Sequence, residues 1–204
     1  MLAAIVSANT PLSARDRLLD AATELFATRG FQAIGLRDLA GCVGLQAGSL
    51  YHHIENKQCL LFELIESALS DLLADTKRRM KGASTTSERI RRFVQAFVSF
   101  SLKDKYRLVL VTRELVNLGE EHKHQAHQLK AAYCGLLKAI VAEGYQEKGP
   151  GEDEITLTTH AVIGMLYGHS QWEDMETTEQ RLTDVLTRCA LCMIASAKHS
   201  TSLV

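Results

Sequence analysis

Between Arg15 and Lys57 the chain places three short helical patterns and two glycine stops close together, and few folds accept that spacing. Leu18, Leu19, Ala22, Leu25 and Phe26 recur at helical intervals, and Gly30 then supplies a left-handed stop that a Cβ would resist. Leu36, Leu39, Ala40 and Val43 line one face of a second, two-turn helix, which Gly44 ends. A third helix is expected from about Ala47 to His53, burying Leu50 and leaving Ala47, Ser49 and His52 pointing outward. Two helices joined by a glycine turn, with small and polar residues on the outer face of the second, make a helix-turn-helix. Its second helix can enter a DNA major groove.

The segment resembles the DNA-binding domain of the TetR family of one-component transcriptional regulators. The resemblance covers roughly the first third of the chain. It rests on Ala21-Ala22, Leu25-Phe26, Gly30-Phe31, the run Leu36-Arg37-Asp38-Leu39-Ala40, Gly44, Gly48, Leu50-Tyr51, His53 and Lys57. It implies that Arg37, Ala47 and Ser49 face base edges and that Tyr51, His53 and Lys57 contact the phosphate backbone, with His52 on the same outward surface. The chemistry agrees, because an arginine fork can take guanine O6 and N7 while a phenol, an imidazole and an ammonium donate to phosphate oxygens. Two positions depart from the family pattern. Gly35 stands where Ser or Thr usually opens helix two, and Gln46 opens the recognition helix in place of a short hydroxyl residue. Gln is a poor N-cap, at a cost under ~1 kcal/mol.

The remaining composition fits a two-part helical protein. With 46% hydrophobic and 23% charged residues and only Pro11 and Pro150, the 204-residue chain can bury a substantial core and run long helices. The net charge is −1, and residues 1–60 hold five Lys/Arg against five Asp/Glu, which argues against a strong nonspecific DNA binder but suits a reader that places a few cations well. No uninterrupted apolar run approaches the ~18 residues of a membrane span, and the apolar start, Met1 to Ala8, lacks the basic region of a secretory signal. Five cysteines without a paired framework suit a reducing compartment, so a cytoplasmic protein is expected. The expected organisation is a tail at 1–12, a helix-turn-helix domain at 13–58 and a helical effector-binding and dimerisation domain at 59–204.

Past the head, helix four is predicted to begin near Lys57 and to run through Leu60, Leu61, Leu64, Ile65, Ala68, Leu69 and Leu72 as one rod into the second domain. Helix five carries Ile90, Phe93, Val94, Phe97 and Val98; residues 103–118 form a sixth; helix seven spans about Glu120 to Glu143. Gly149-Pro150-Gly151 marks a loop, and two last helices run near Glu152 to His169 and Thr178 to His199. On helix eight Ala161, Gly164 and Gly168 share a face, and on helix nine Leu182, Val185, Leu186, Cys189, Cys192 and Met193 form an apolar stripe. Spacing leaves intrachain packing and a subunit interface equally open. The TetR resemblance implies the second, a four-helix bundle between the two copies of a homodimer.

For an effector site, Phe93, Phe97, Phe100, Tyr133, Met165, Tyr167 and Trp172 offer wall material. Arg113, Glu114, His160, His169 and Gln171 are polar groups in or beside apolar runs, and such groups must pair with one another or face a cavity. Leu108 to Leu118 and Gly164-Met165-Leu166 followed by Trp172 are loosely similar to family members that respond to acyl-CoA thioesters of steroid or fatty-acid breakdown. Other motifs favour plainer readings. Cys189 and Cys192 have CxxC spacing but sit on a helix and are expected in its packing stripe; His122, His124 and His127 lack the partners of a tetrahedral metal site. The basic residues Lys77, Arg78, Arg79, Lys81, Arg89, Arg91 and Arg92 are expected to be a solvated face, with an anionic effector or DNA phosphate as the functional alternative. The chain therefore reads as an all-α, ligand-responsive repressor that binds a palindromic operator as a dimer and releases it for a small apolar effector. No cofactor or metal is expected. A ligand-blind architectural DNA-binding dimer is the alternative, and an enzyme ranks last because no nucleophile, base and orienting group assemble.

Overall fold

A computed structural model describes residues 13–144, 151–170 and 177–199, and every regular element in them is helical. The head comprises α1 (Ala14–Arg29), α2 (Leu36–Cys42) and α3 (Ala47–Leu50). The body comprises α4 (Lys57–Met80), α5 (Thr86–Lys103), α6 (Lys105–Val109), a π turn (Leu110–Glu114), a 3-10 turn (Leu115–Asn117), α7 (Glu120–Gly144), α8 (Glu152–His169) and α9 (Glu179–His199). The expected loop at Gly149 and Pro150, and the candidates Gln171 and Trp172, lie outside the described residues.

Local chemistry accounts for the ends of these helices. Ser13 Oγ accepts the Asp16 N–H while the Asp16 carboxylate accepts the Ser13 N–H, both at 3.1 Å, a reciprocal capping box for α1. Gly30 then takes φ +87°. At α2 the Asp38 carboxylate accepts the Gly35 N–H at 2.7 Å, and Gly35 itself has no side chain to cap the helix. Asn56 Oδ1 caps α4 by accepting the Cys59 N–H at 2.8 Å, and Thr85 Oγ1 caps α5 through the Glu88 N–H at 3.1 Å.

Two elements differ from the sequence-based expectation. The recognition helix ends at Leu50, and Tyr51 to His53 follow as tight turns, with the His52 N–H on the Ser49 carbonyl and the His53 N–H on the Leu50 carbonyl. Gln46 makes no side-chain cap, so little holds this short helix beyond the burial of Leu50. The expected sixth helix over 103–118 is instead three conformations in succession. Asp104 breaks away from α5, and the chain widens into the π turn, where the Thr112 hydroxyl satisfies the Leu108 and Val109 carbonyls at 3.0 and 3.1 Å.

One continuous apolar core runs from Leu18, Phe26 and Leu39 in the head through Leu60, Leu61 and Ile65 to Phe97, Leu137, Leu166 and Ile194 in the body. Helix α4 crosses the expected boundary at residue 58 within its own first turn. In the body α5 lies between α4 and α9, while α7 packs on both α4 and α8. The π turn rests against α1 and α4, so the body touches the head at a second place besides the rod.

Candidate nucleic-acid interface and its link to the body

Of the residues assigned to DNA by sequence, Arg37, Tyr51 and His52 are exposed, Tyr51 by 62% although it is aromatic. Ser49 and His53 are half-buried, and only the backbone of Ala47 is described, at the first position of α3. An exposed guanidinium, phenol and imidazole on or beside a helix-turn-helix supply donors for base edges and phosphates. Lys57 is placed differently from its neighbours. Its ammonium donates to the Phe31 carbonyl and stands 4.0 Å from the Phe31 ring centroid and 5.8 Å from that of Phe26. Burial pushes this amine below the ordinary lysine value, and the Asp38 and Glu114 carboxylates oppose the shift. One of its three N–H donors is taken by the Phe31 carbonyl, and the others remain for a phosphate.

Glu114 and Arg113 fall on opposite sides of the π turn. Arg113 is exposed, whereas Glu114 is buried and its carboxylate accepts the Phe31 N–H at 3.3 Å and the Asn117 amide at 2.6 Å. Asn117 extends the junction: its side-chain oxygen accepts from Gln32 and its carbonyl from Gln58, both at 2.9 Å. A turn of the body thus grips the segment between α1 and α2 and the first turn of α4. The charge at Glu114 within an apolar run was visible in the sequence, but its partner at Phe31, 83 residues away, was not.

The effector candidates separate into two groups. Phe93, Phe97, Tyr133 and Tyr167 come together from α5, α7 and α8, with Phe93 stacked on Tyr133 at 4.8 Å and Phe97 edge-on to Tyr167 at 5.2 Å. Tyr133 is fully buried and its hydroxyl has no hydrogen-bond partner among the described residues. Thr76, whose hydroxyl donates to the Leu72 carbonyl at 2.7 Å, is the polar side chain beside this phenol. Burial raises the phenol pKa of both Tyr133 and Tyr167 well above the ordinary value. The second group is not part of this cluster: Arg113 and His160 are exposed, and Glu114, in the π turn, serves the head junction. His122 stacks on Phe62 at 4.1 Å and His124 pairs with Gln128 at 3.0 Å.

The two faces expected at a dimer interface also separate. Ala161, Gly164, Gly168, Val185 and Cys189 are exposed, Met193 is half-buried, and Leu157 extends the α8 face at 68% exposure. Leu182 and Leu186 are instead buried in the chain's own core, where α9 packs against α5. Cys189 and Cys192 are exposed rather than in the packed stripe.

A glycine-turned head that rides on a rod from a larger helical body is the architecture of a helix-turn-helix DNA-binding protein. Comparison with known proteins agrees. Residues 18–64 match the profile of bacterial regulatory proteins of the tetR family, and residues 83–196 match that of the tetracyclin repressor-like C-terminal domain. The chain belongs to the TetR family of transcriptional regulators. The transcriptional repressor KstR2 of Rhodococcus jostii is 29% identical over 141 residues, which cover 64% of this chain and 66% of that protein's length. KstR2 of Mycobacterium tuberculosis, a ketosteroid transcriptional regulator, matches in structure with TM-score 0.76 at 20% identity over 93% of this chain and 97% of that one. AibR, solved with isovaleryl coenzyme A and operator DNA, matches with TM-score 0.77 at 19% identity over 87% and 97% of the two chains. At these identities the two structural matches establish the fold alone. No helix of the described residues is long and apolar enough to cross a membrane.

Proposed function

We propose that the chain is a homodimeric repressor that binds a palindromic operator and leaves it when a small, mainly apolar effector occupies the body. The observation that carries this reading is the exposed face of α8 and α9. Leu157, Ala161, Gly164 and Gly168 on one helix and Val185 and Cys189 on the next present small and apolar groups to solvent. A second copy related by a two-fold axis buries this face and sets two recognition helices at the separation of successive major grooves. In this reading Arg37, Ala47 and Ser49 read bases, and Tyr51, His52, His53 and Lys57 hold phosphates. The aromatic cluster of Phe93, Phe97, Tyr133 and Tyr167, with its unpartnered phenol, is the part of the body to which an effector is assigned. Acyl-CoA thioesters are the first class to screen, because AibR was solved with one.

The test is sedimentation followed by operator binding. The free protein is expected at about 45 kDa, twice the 22.6 kDa chain. A Cβ at Gly164 or Gly168 would meet nothing within 4 Å, so Gly164→Leu leaves the subunit fold intact while obstructing close approach of a second helix. That variant is expected to be monomeric and to lose affinity for a palindrome selected from genomic fragments. A monomer at micromolar concentration that still binds the palindrome tightly would overturn the dimer reading. Tight DNA binding unchanged by every ligand class would favour a ligand-blind architectural dimer.

A further inference from the structure

At the end of the body farthest along α4 from the head, a groove of about 370 Å³ opens between the last turns of α4, the turn into α5 and the C-terminal half of α7. Gly82, at φ +77°, reverses the chain there, so that Lys81 and Ala83 both reach the groove. Buried Ile140 and Ala83 and half-buried Met80 and Leu136 make it apolar. Its charged residues are Lys77, Lys81, Arg89 and Glu143.

The arginines of this basic stretch are all engaged in ion pairs. Arg78 and Arg79 pair with Asp75, Arg91 with Asp184 at 2.6 Å and Arg92 with Glu88. Arg92 also donates to the Arg79 and Lys81 carbonyls at 3.0 and 2.7 Å. Arg89 pairs with Glu143 and donates to the Ala83 carbonyl, so those two groove charges cancel. Lys77 and Lys81 are exposed and have no ion pair among the described residues. Sequence alone presents seven equivalent cations; the fold ties each of the five arginines to a carboxylate, Arg78 and Arg79 sharing Asp75, and leaves two ammonium groups without an ion pair among the described residues beside an apolar trough.

We infer that this groove binds a small amphiphilic anion, an alkyl body of roughly eight carbons with a phosphate or carboxylate head, in a volume near the lower end of the ~300–1,000 Å³ typical of ligand sites. The alkyl body lies on Met80, Ala83, Leu136 and Ile140, and Lys77 and Lys81 take the head. Both charge and apolar surface are needed. Exposed ammonium groups alone hold an anion weakly because water and salt screen them, whereas burial of the chain fixes the head beside them. The occupant touches the C-terminal end of α4, whose first residue, Lys57, lies in the head. That link to operator release rests on the regulatory reading above; the binding site does not.

The experiment titrates the full-length protein, without DNA, with octyl phosphate and octanoate, against octanol and inorganic phosphate as controls. Calorimetry measures affinity and methyl NMR locates the ligand. Octyl phosphate, octanoate or both are expected to bind and to shift the Met80, Ala83, Leu136 and Ile140 methyl signals; the tighter ligand names the head group. The double variant Lys77→Gln, Lys81→Gln breaks no ion pair and is expected to melt like the parent. It should weaken the anionic ligands at least tenfold and leave octanol unaffected. The site is overturned if neither anion binds at millimolar concentration, if the double variant binds them equally, if the shifts centre on the Phe93 and Tyr133 region, or if inorganic phosphate binds as tightly as octyl phosphate. A parallel operator titration separates the two claims: groove binding with unchanged operator affinity keeps the site and removes its regulatory link.

Discussion

Arg37 and Tyr51 stand exposed on the same head, yet their chemistry predicts different losses. A guanidinium against guanine carries sequence information, so Arg37→Ala should cost ~1–3 kcal/mol on the preferred operator and little on random DNA. A phenol on phosphate does not discriminate, and Tyr51→Ala should weaken both DNAs alike. Fluorescence anisotropy on the two DNAs across a salt series measures this; equal losses for Arg37→Ala would remove its base-reading role. In the body, Tyr133→Phe deletes a hydroxyl with no partner among the described residues, so stability at neutral pH should hold or rise by up to ~1–2 kcal/mol. Tyr133 and Tyr167 both have pKa values raised by burial. The folded chain therefore keeps protons that the unfolded chain gives up above about pH 10. Their contribution is intact below that pH and declines as pH rises through it. Melting curves from pH 8 to 11 should consequently fall less steeply for the Tyr133→Phe, Tyr167→Phe double variant than for the parent, and parallel curves would contradict the assignment.

At the scale of elements, the junction between the π turn and the head is the contact whose loss should be felt farthest away. Glu114 is the acceptor for the Phe31 N–H and the Asn117 amide, and Glu114→Ala leaves both donors unmatched in a buried place, at a cost of ~1–3 kcal/mol. Amide exchange at Phe31 is expected to speed up in that variant while α5 and α9 keep their protection. Unchanged exchange at Phe31 would mean that the hydrogen bond contributes nothing in solution. The same junction shows the use of a π turn: its irregular winding leaves Arg113 in solvent and aims Glu114 at the head. Helix α4 is the other connection, capped by Asn56 at the head and ending at Met80 beside the groove.

For the whole molecule, one core spanning head and body means that a ligand stabilising the body also biases the head, provided the two conformers differ in head spacing. An effector present at 100 times its Kd should raise stability by ~2.7 kcal/mol. A coupling of ~1–3 kcal/mol then lowers operator affinity about 5- to 150-fold. Melting and operator titrations run on the same ligand panel test this, and stabilisation without DNA release would reduce the ligand to a structural occupant.

Local periodicity and turn chemistry carried the fold class, the order of the helices, the stops at Gly30 and Gly44 and the continuity of the rod from Lys57, because those depend on residues three or four positions apart. Helical spacing made His52 legible as an outward group, and the resemblance to the TetR head assigned Arg37 and Tyr51 to DNA; all three are exposed. Tertiary structure alone decided which polar groups had partners. It turned Lys57 onto Phe31, gave Glu114 to the head, excluded Arg113 and His160 from the aromatic cluster, and divided the α9 stripe between the core at Leu182 and Leu186 and solvent at Val185 and Cys189. Each of these depends on contacts between residues far apart in the chain. A helical period identifies the face on which a side chain stands, but only packing determines what stands opposite it.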